Sequence, residues 1–183
     1  MITFQEFVKT LIESPEMDYN TRPEDLHQFT YKKYKDYINA NRDKVEPIKG
    51  DLKKLSNGDN VFYFRDKGDG DIGSYSYVQN GVHNVTSKNG DADSSNIHEF
   101  MKHHVDNHDS LDSYESNTKG SKKLWKDLIK NNDGRYDFHV IDNGVKTNKL
   151  DSKNISAMES HIWGDGENPY SRRIVRMSKI NGT

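Results

Sequence analysis

Cysteine is absent from this 183-residue chain. That excludes disulfides, thiolate metal sites and a cysteine nucleophile, and it fits a cytosolic protein. Long apolar runs are absent too. None approaches the ~20 residues that span a bilayer, so no membrane partner is expected. Neither sign of charge dominates, since the formal net charge is −2. Nothing therefore advertises nucleic acid or an acidic membrane as a partner. A basic stretch ahead of an apolar one is missing from the first residues, Met1-Ile2-Thr3-Phe4-Gln5-Glu6-Phe7-Val8, so they do not read as a secretory signal. Hydrophobic residues are scarce at 31%, which matches the charged fraction and calls for an economical core. The chain does have aromatics, with ten Tyr and seven Phe. Disordered chains are poor in such residues, and each ring buries a large area. The length fits one domain.

Two apolar stripes open the chain. Ile2, Phe4, Phe7, Val8, Leu11 and Ile12 recur at helical spacing, with Thr3 and Glu6 as a capping box and Pro15 as the stop. Leu26, Phe29, Tyr31, Tyr34, Tyr37 and Ile38 predict a second helix over 23–39, with Pro23 in its first turn. Residues 1–44 thus form a helical N-terminal segment. From Val45 the pattern becomes extended. Strands are expected at 60–65, 72–78 and 82–86, and Asn80-Gly81 is a tight hairpin turn. The pattern then gives a helix over 93–108, an extended piece at 111–115, a helix over 117–130 and a strand over 136–142. In the second of these helices Leu124, Trp125, Leu128 and Ile129 form the face that anchors on the sheet. Asn143-Gly144 turns into a hairpin at 145–150. A helix over 152–163 and a strand over 172–178 close the chain. The fold class is α/β (α+β), a mixed, mostly antiparallel sheet flanked by helices.

The loop that opens the helix at 93 is a candidate anion cradle. Gly90 permits a tight turn and close approach, and the first amides of a helix lack internal partners. Ser87, Asn89, Gly90, Ala92 and Ser94 are the residues that would meet a diphosphate. An ordinary Asn-Gly turn capped by Asp93 or Ser94 explains the same residues. Asp91 and Asp93 place negative charge where a phosphate would sit.

Metal chemistry is not expected. His98, His103, His104 and His108 lie on one predicted helix, and His104 and His108 stand at i, i+4. Val105 occupies the position where His-Glu-x-x-His needs its Glu, so these read as surface histidines on a polar face. The acidic turn 66–71 lacks the twelve-residue calcium loop with its terminal Glu.

The order of elements resembles the GNAT acyltransferases: an antiparallel meander, a glycine loop into a helix, a strand, a helix and a further strand. Their acyl-CoA loop has the form Gln/Arg-x-x-Gly-x-Gly/Ala. Gly90 and Ala92 match it, while Ser87 replaces the leading residue. The segment from Leu111 through Asp112, Ser113 and Thr118 to Leu124-Trp125 is similar to one in GNAT-like proteins of tailed phages, with the Ser-Asp pair of those proteins inverted here. The resemblance spans about 61–180. It implies an acyl-CoA-dependent N-acyltransferase, acetyl-CoA as cofactor, a protein or small amine as acceptor, and Tyr114 and Glu115 as catalytic acid–base residues. Strand packing for Tyr114 and a solvent-facing acid at a helix start for Glu115 are the plainer roles. The first residues are similar to the leaders of internal head proteins of large tailed phages, which are cut after Leu/Ile-x-Glu. Leu11-Ile12-Glu13 has that form. This second resemblance implies a host-cytoplasmic or virion-packaged protein. Its alternative function is non-enzymatic, by binding and inhibiting a host protein.

Overall fold

The computed structural model describes residues 23–87, 95–113, 119–164 and 173–180. It is α+β, with one nine-stranded sheet and four α-helices among those residues. Helix α1 spans Pro23–Ala40, and a 3-10 turn follows at Arg42–Lys44. Strands β1 (Glu46–Lys49), β2 (Leu52–Asn57), β3 (Asn60–Gly68), β4 (Asp71–Gln79) and β5 (Val82–Ser87) form an antiparallel meander. Then come α2 (Ser95–His108), β6 (Ser110–Ser113), α3 (Lys119–Lys130), β7 (Tyr136–Asp142), β8 (Val145–Leu150), α4 (Glu159–Trp163) and β9 (Arg173–Lys179). The spatial order is β1-β2-β3-β4-β5-β6-β9-β7-β8. The last strand is thus inserted between β6 and β7.

Alternation along the strands sends side chains to two separate cores. Phe62, Phe64, Tyr75 and Tyr77 pack under Tyr34, Tyr37 and Ile38 of α1. Val61, Tyr63 and Val78 point to the other face, under Ile97, Phe100, Met101 and Val105 of α2. Leu124, Trp125, Leu128 and Ile129 of α3 join that second core, with Phe138, Val140, Val175 and Met177 beneath them. The first core is a set of interlocked rings. Tyr34 meets Tyr75 at 4.8 Å and Phe62 at 5.5 Å, and Phe62 stacks on Tyr77 at 4.7 Å between centroids. Ring pairs of this kind let few residues fill a core.

Both Asn-Gly turns are where the sequence puts them. Asn80 and Gly81 have φ of 50° and 76°, and Asn143 and Gly144 have 49° and 80°. Two successive positive φ values match the strand twist in a two-residue hairpin and suit Asn and Gly. Three elements differ from the sequence reading. The stretch 46–57 forms two strands, where the sequence shows only a change to extended character. Residues 152–158 are turns, and helix begins only at Glu159, because the Asp151 and Asn154 side chains bond backbone N–H groups in their place. Helices α2 and α3 are described from Ser95 and Lys119, so the starts expected at 93 and 117 lie outside the described residues. The N-terminal stripe lies outside them too. Among the described residues no helix is long and apolar enough to cross a membrane.

Candidate functional site

Strands β5 and β6 form the one parallel pair among the described strands. Their pairing is short: Val82 faces Asp112 and His83 faces Ser113. Immediately beyond it β5 carries a bulge. Val78 faces His83 but Tyr77 faces Val85, so Asn84 is an extra residue on β5. Bulges of this kind interrupt the ladder and cluster beside active sites. Helix α2 is the crossover between the two parallel strands, as parallel pairing requires. The connection 88–94 leaves the C-terminal end of β5, and the connection 114–118 leaves the C-terminal end of β6. The two strands run the same way, and β5 continues four residues past its last pair with β6, His83 with Ser113, so its connection begins about 13 Å further along the strand direction.

Those two connections contain most of the residues singled out in the sequence. Ser87 is the last residue of β5, and its backbone lies opposite Tyr75. Asn89, Gly90, Ala92 and Ser94 fall in 88–94, and Tyr114 and Glu115 in 114–118; both stretches lie outside the described residues. What the structure adds is the polar set inside the fold at the root of these connections.

On the face covered by α2 and α3, His83 Nε2 lies 2.8 Å from Ser76 Oγ, and both residues are buried. Tyr63 is the cross-strand partner of Ser76, and its hydroxyl lies 2.9 Å from His104 Nδ1. The Trp125 ring stands edge-on to His83, 6.2 Å between centroids. Ser113 Oγ accepts the backbone N–H of Val175 at 2.9 Å, tying β6 to β9. Burial pushes His83 down to about 4. It pushes His104 down to about 3, helped by His108, His83 and His103. Burial also raises the Tyr63 phenol. The set is therefore neutral at pH 7, and its members act as hydrogen-bonding groups.

His104 corrects one sequence expectation. It is 2% exposed, not a surface residue, because α2 turns it inward beside Phe100, Met101 and Val105. The His108 ring lies on it at 4.4 Å. Its Nε2 has no hydrogen-bond partner among the described residues. Phenylalanine at 63 would leave the second ring nitrogen unpaired as well. Tyr63→Phe is expected to cost about 1–3 kcal/mol, the range for a buried polar group that loses its partner. Urea unfolding measures it, and an unchanged midpoint would show the bond contributes nothing.

No group of three His, Asp or Glu side chains is placed to hold a metal ion among the described residues. Two acids of the 66–71 turn are engaged otherwise. Asp66 binds Arg42 at 2.8 Å, and Asp71 accepts from the Tyr31 hydroxyl at 2.5 Å and from Lys35 at 3.2 Å. The opposite sheet face has its own polar pair beside the parallel strands. Arg176 Nε and Nη2 grip Asp112 at 2.6 and 2.7 Å, a bidentate pair that raises the guanidinium. Sequence reasoning missed Ser76, His83, Asp112 and Arg176. Register alone brings them together, and only a correct strand order could have found them. No protein-family model matches the chain, and no curated protein or solved structure matches it either.

Proposed function

We propose that the chain is a GNAT-like N-acyltransferase that uses an acyl-CoA, acetyl-CoA in the first instance, to acylate an amine on a protein or small molecule. One observation carries the reading: the short parallel pair β5–β6, whose strands run the same way and lead at their C-terminal ends into the 88–94 and 114–118 connections. Open sheets bind ligands outside the carboxyl ends of strands, at the place where neighbouring connections part. Here one connection brings Gly90 and Ala92 ahead of a helix, and the other brings Tyr114 and Glu115.

In this reading the amides around Gly90 hold the diphosphate, and backbone N–H groups freed by the Asn84 bulge polarise the thioester carbonyl. Glu115 takes a proton from the attacking amine. The C–N bond forms, the C–S bond breaks, and Tyr114 returns a proton to the departing thiolate. The proposed source is a tailed phage, with the protein in the host cytoplasm or packaged in the virion.

Calorimetry with acetyl-CoA tests this on the wild type, Gly90→Val and Asp91→Asn. The wild type should bind. A valine at 90 should abolish the heat while leaving the melting temperature unchanged, since a branched side chain fills the space the ligand needs. Asparagine at 91 should bind equally or more tightly, because the diphosphate meets one negative charge fewer. No heat from the wild type at millimolar ligand would overturn the reading. Asp91 and Asp93 are the specific features that favour the other reading, a non-enzymatic protein that binds and inhibits a host factor, because that role makes no demand for a neutral or positive loop.

A further inference from the structure

Asparagine followed by glycine readily loses its side-chain amide, because glycine puts no side chain in the way of its own nitrogen. Five such pairs occur in the chain: Asn57-Gly58, Asn80-Gly81, Asn89-Gly90, Asn143-Gly144 and Asn181-Gly182. The pairs at 57, 80 and 143 lie among the described residues. The reaction has a geometric requirement. Rotation about the asparagine Cα–C bond must swing the glycine nitrogen over the asparagine's own Cγ. Asn80 and Asn143 have φ of 50° and 49°, and in this left-handed region the next nitrogen points away from the side chain. Asn57 is the last residue of β2, and extended backbone holds the nitrogen away as well. Each turn must therefore open locally before it reacts, and the cost of opening ranks the three.

Two of the turns are held by more than their closing strand pair. The Asn80 N–H donates to the Asp59 carbonyl at 3.1 Å, and the Gly81 carbonyl accepts from the Asp112 N–H at 2.8 Å, which ties that turn to β6. Asn57 pairs with Asn60, and its side chain hydrogen-bonds the Tyr37 hydroxyl. The turn at 143 has no such ties among the described residues. It joins β7 to β8, and β8 is the edge of the sheet. Asn143 through Lys149 are exposed. The Asn143 amide bonds only its neighbour, donating to Asp142 Oδ1 at 2.8 Å.

We propose that Asn143 is a self-modifying site, the first of these three to lose its amide, and that its rearranged product releases the edge strand β8. The Gly144 nitrogen attacks Asn143 Cγ. The new C–N bond forms, the Cγ–Nδ2 bond breaks, and ammonia departs with the proton that the Gly144 nitrogen gave up to solvent. Water then opens the cyclic imide at either carbonyl, giving aspartate or isoaspartate. Aspartate keeps the backbone length. Isoaspartate routes the chain through the side-chain carbon, and a two-residue turn cannot then close Asp142 on Val145. With that pair gone, β8 is held only further along, by Lys149 on Asp137 and by Leu150 in the core.

The test ages the full chain at mildly alkaline pH, folded and in urea, and maps the amide loss peptide by peptide by mass spectrometry. In the folded protein Asn143 should convert about fivefold or more faster than Asn57 and Asn80, since each extra hydrogen bond slows opening severalfold. In urea the three should react within about twofold of one another, because each precedes glycine and no turn remains to open. Equal rates in the folded protein, or a faster reaction at Asn57 or Asn80, overturn the site. So does an Asn143 that stays intact over the time in which the unfolded chain converts completely. Hydrogen exchange on the separated products tests the release. The isoaspartate form should lose protection at the β8 amides bonded to β7, while Asn143→Asp keeps it. Unchanged protection in the isoaspartate form overturns the release of β8.

Discussion

Trp125→Ala is expected to leave little folded protein. The ring is fully buried and stands where α3 meets both α2 and the sheet. Its neighbours on the same helix face, Leu124, Leu128 and Ile129, are buried with it. Truncating a core aromatic typically costs ~3–5 kcal/mol, from the lost transfer energy and the cavity left behind. Domains of this size hold roughly 5–15 kcal/mol in all, so one substitution removes a large share. Trp125 Nε1 has no hydrogen-bond partner among the described residues. Trp125→Phe should therefore lose packing but no hydrogen bond, and should retain more than half of what alanine loses. Urea midpoints for the two variants check this. Equal midpoints for wild type and Trp125→Ala would mean the ring is exposed in solution, and a binding role for it would follow.

Much of this architecture was legible because the periodicities are local. The alternating run at 72–78 and the Asn-Gly turns at 80–81 and 143–144 fix a meander and a late hairpin. The apolar face of Leu124, Trp125, Leu128 and Ile129 fixes a helix. Strands β1 and β2 escaped notice because only Leu52 and Leu55 are buried in Glu46–Lys49 and Leu52–Asn57, so too few apolar residues mark the period. The insertion of β9 between β6 and β7 escaped for a different reason. Strand order depends on contacts between residues far apart in the chain, and no local pattern encodes it.

The polar site was hidden by the same physics. His83 and Ser76 lie on opposite arms of a hairpin, and the Asn84 bulge shifts the register between the arms. Asp112 and Arg176 come from strands whose adjacency is itself non-local. His104 was misread because its helix is polar on average, and polarity on average does not say which residue of a turn points inward. By contrast Gly90 and Ala92 were singled out by type and spacing, and Tyr114 and Glu115 through the resemblance. All four lie outside the described residues, in the connections that follow β5 and β6.

Acid should unfold this protein earlier than its carboxylates alone would. His83 and His104 sit near about 4 and about 3 in the fold, against about 6.5 in an unfolded chain. Their surroundings offer no carboxylate to hold an imidazolium. His83 faces Ser76 and Trp125, while His104 faces Tyr63, His108 and His103. Between pH 6.5 and the folded values, the unfolded chain binds protons that the folded chain refuses. The stabilisation is therefore complete above about pH 6.5 and is lost as pH falls toward 4 and then 3. Each such histidine contributes a slope of about 1.4 kcal/mol per pH unit, so the pair gives about 2.7. Asp71 and Asp133 are held below their ordinary range by Tyr31 and by Arg135, so their losses begin only below about pH 4. Loss between pH 6 and 4.5 is thus the histidines' own, with His103 and His139, which burial also lowers, adding a smaller share to that of His83 and His104. Urea unfolding at pH 7.5, 6, 5 and 4.5 measures the slope, and His104→Gln should reduce it by about half, because glutamine binds no proton in either state. A slope unchanged in His104→Gln would show that the His104 ring already takes up its proton in the folded protein.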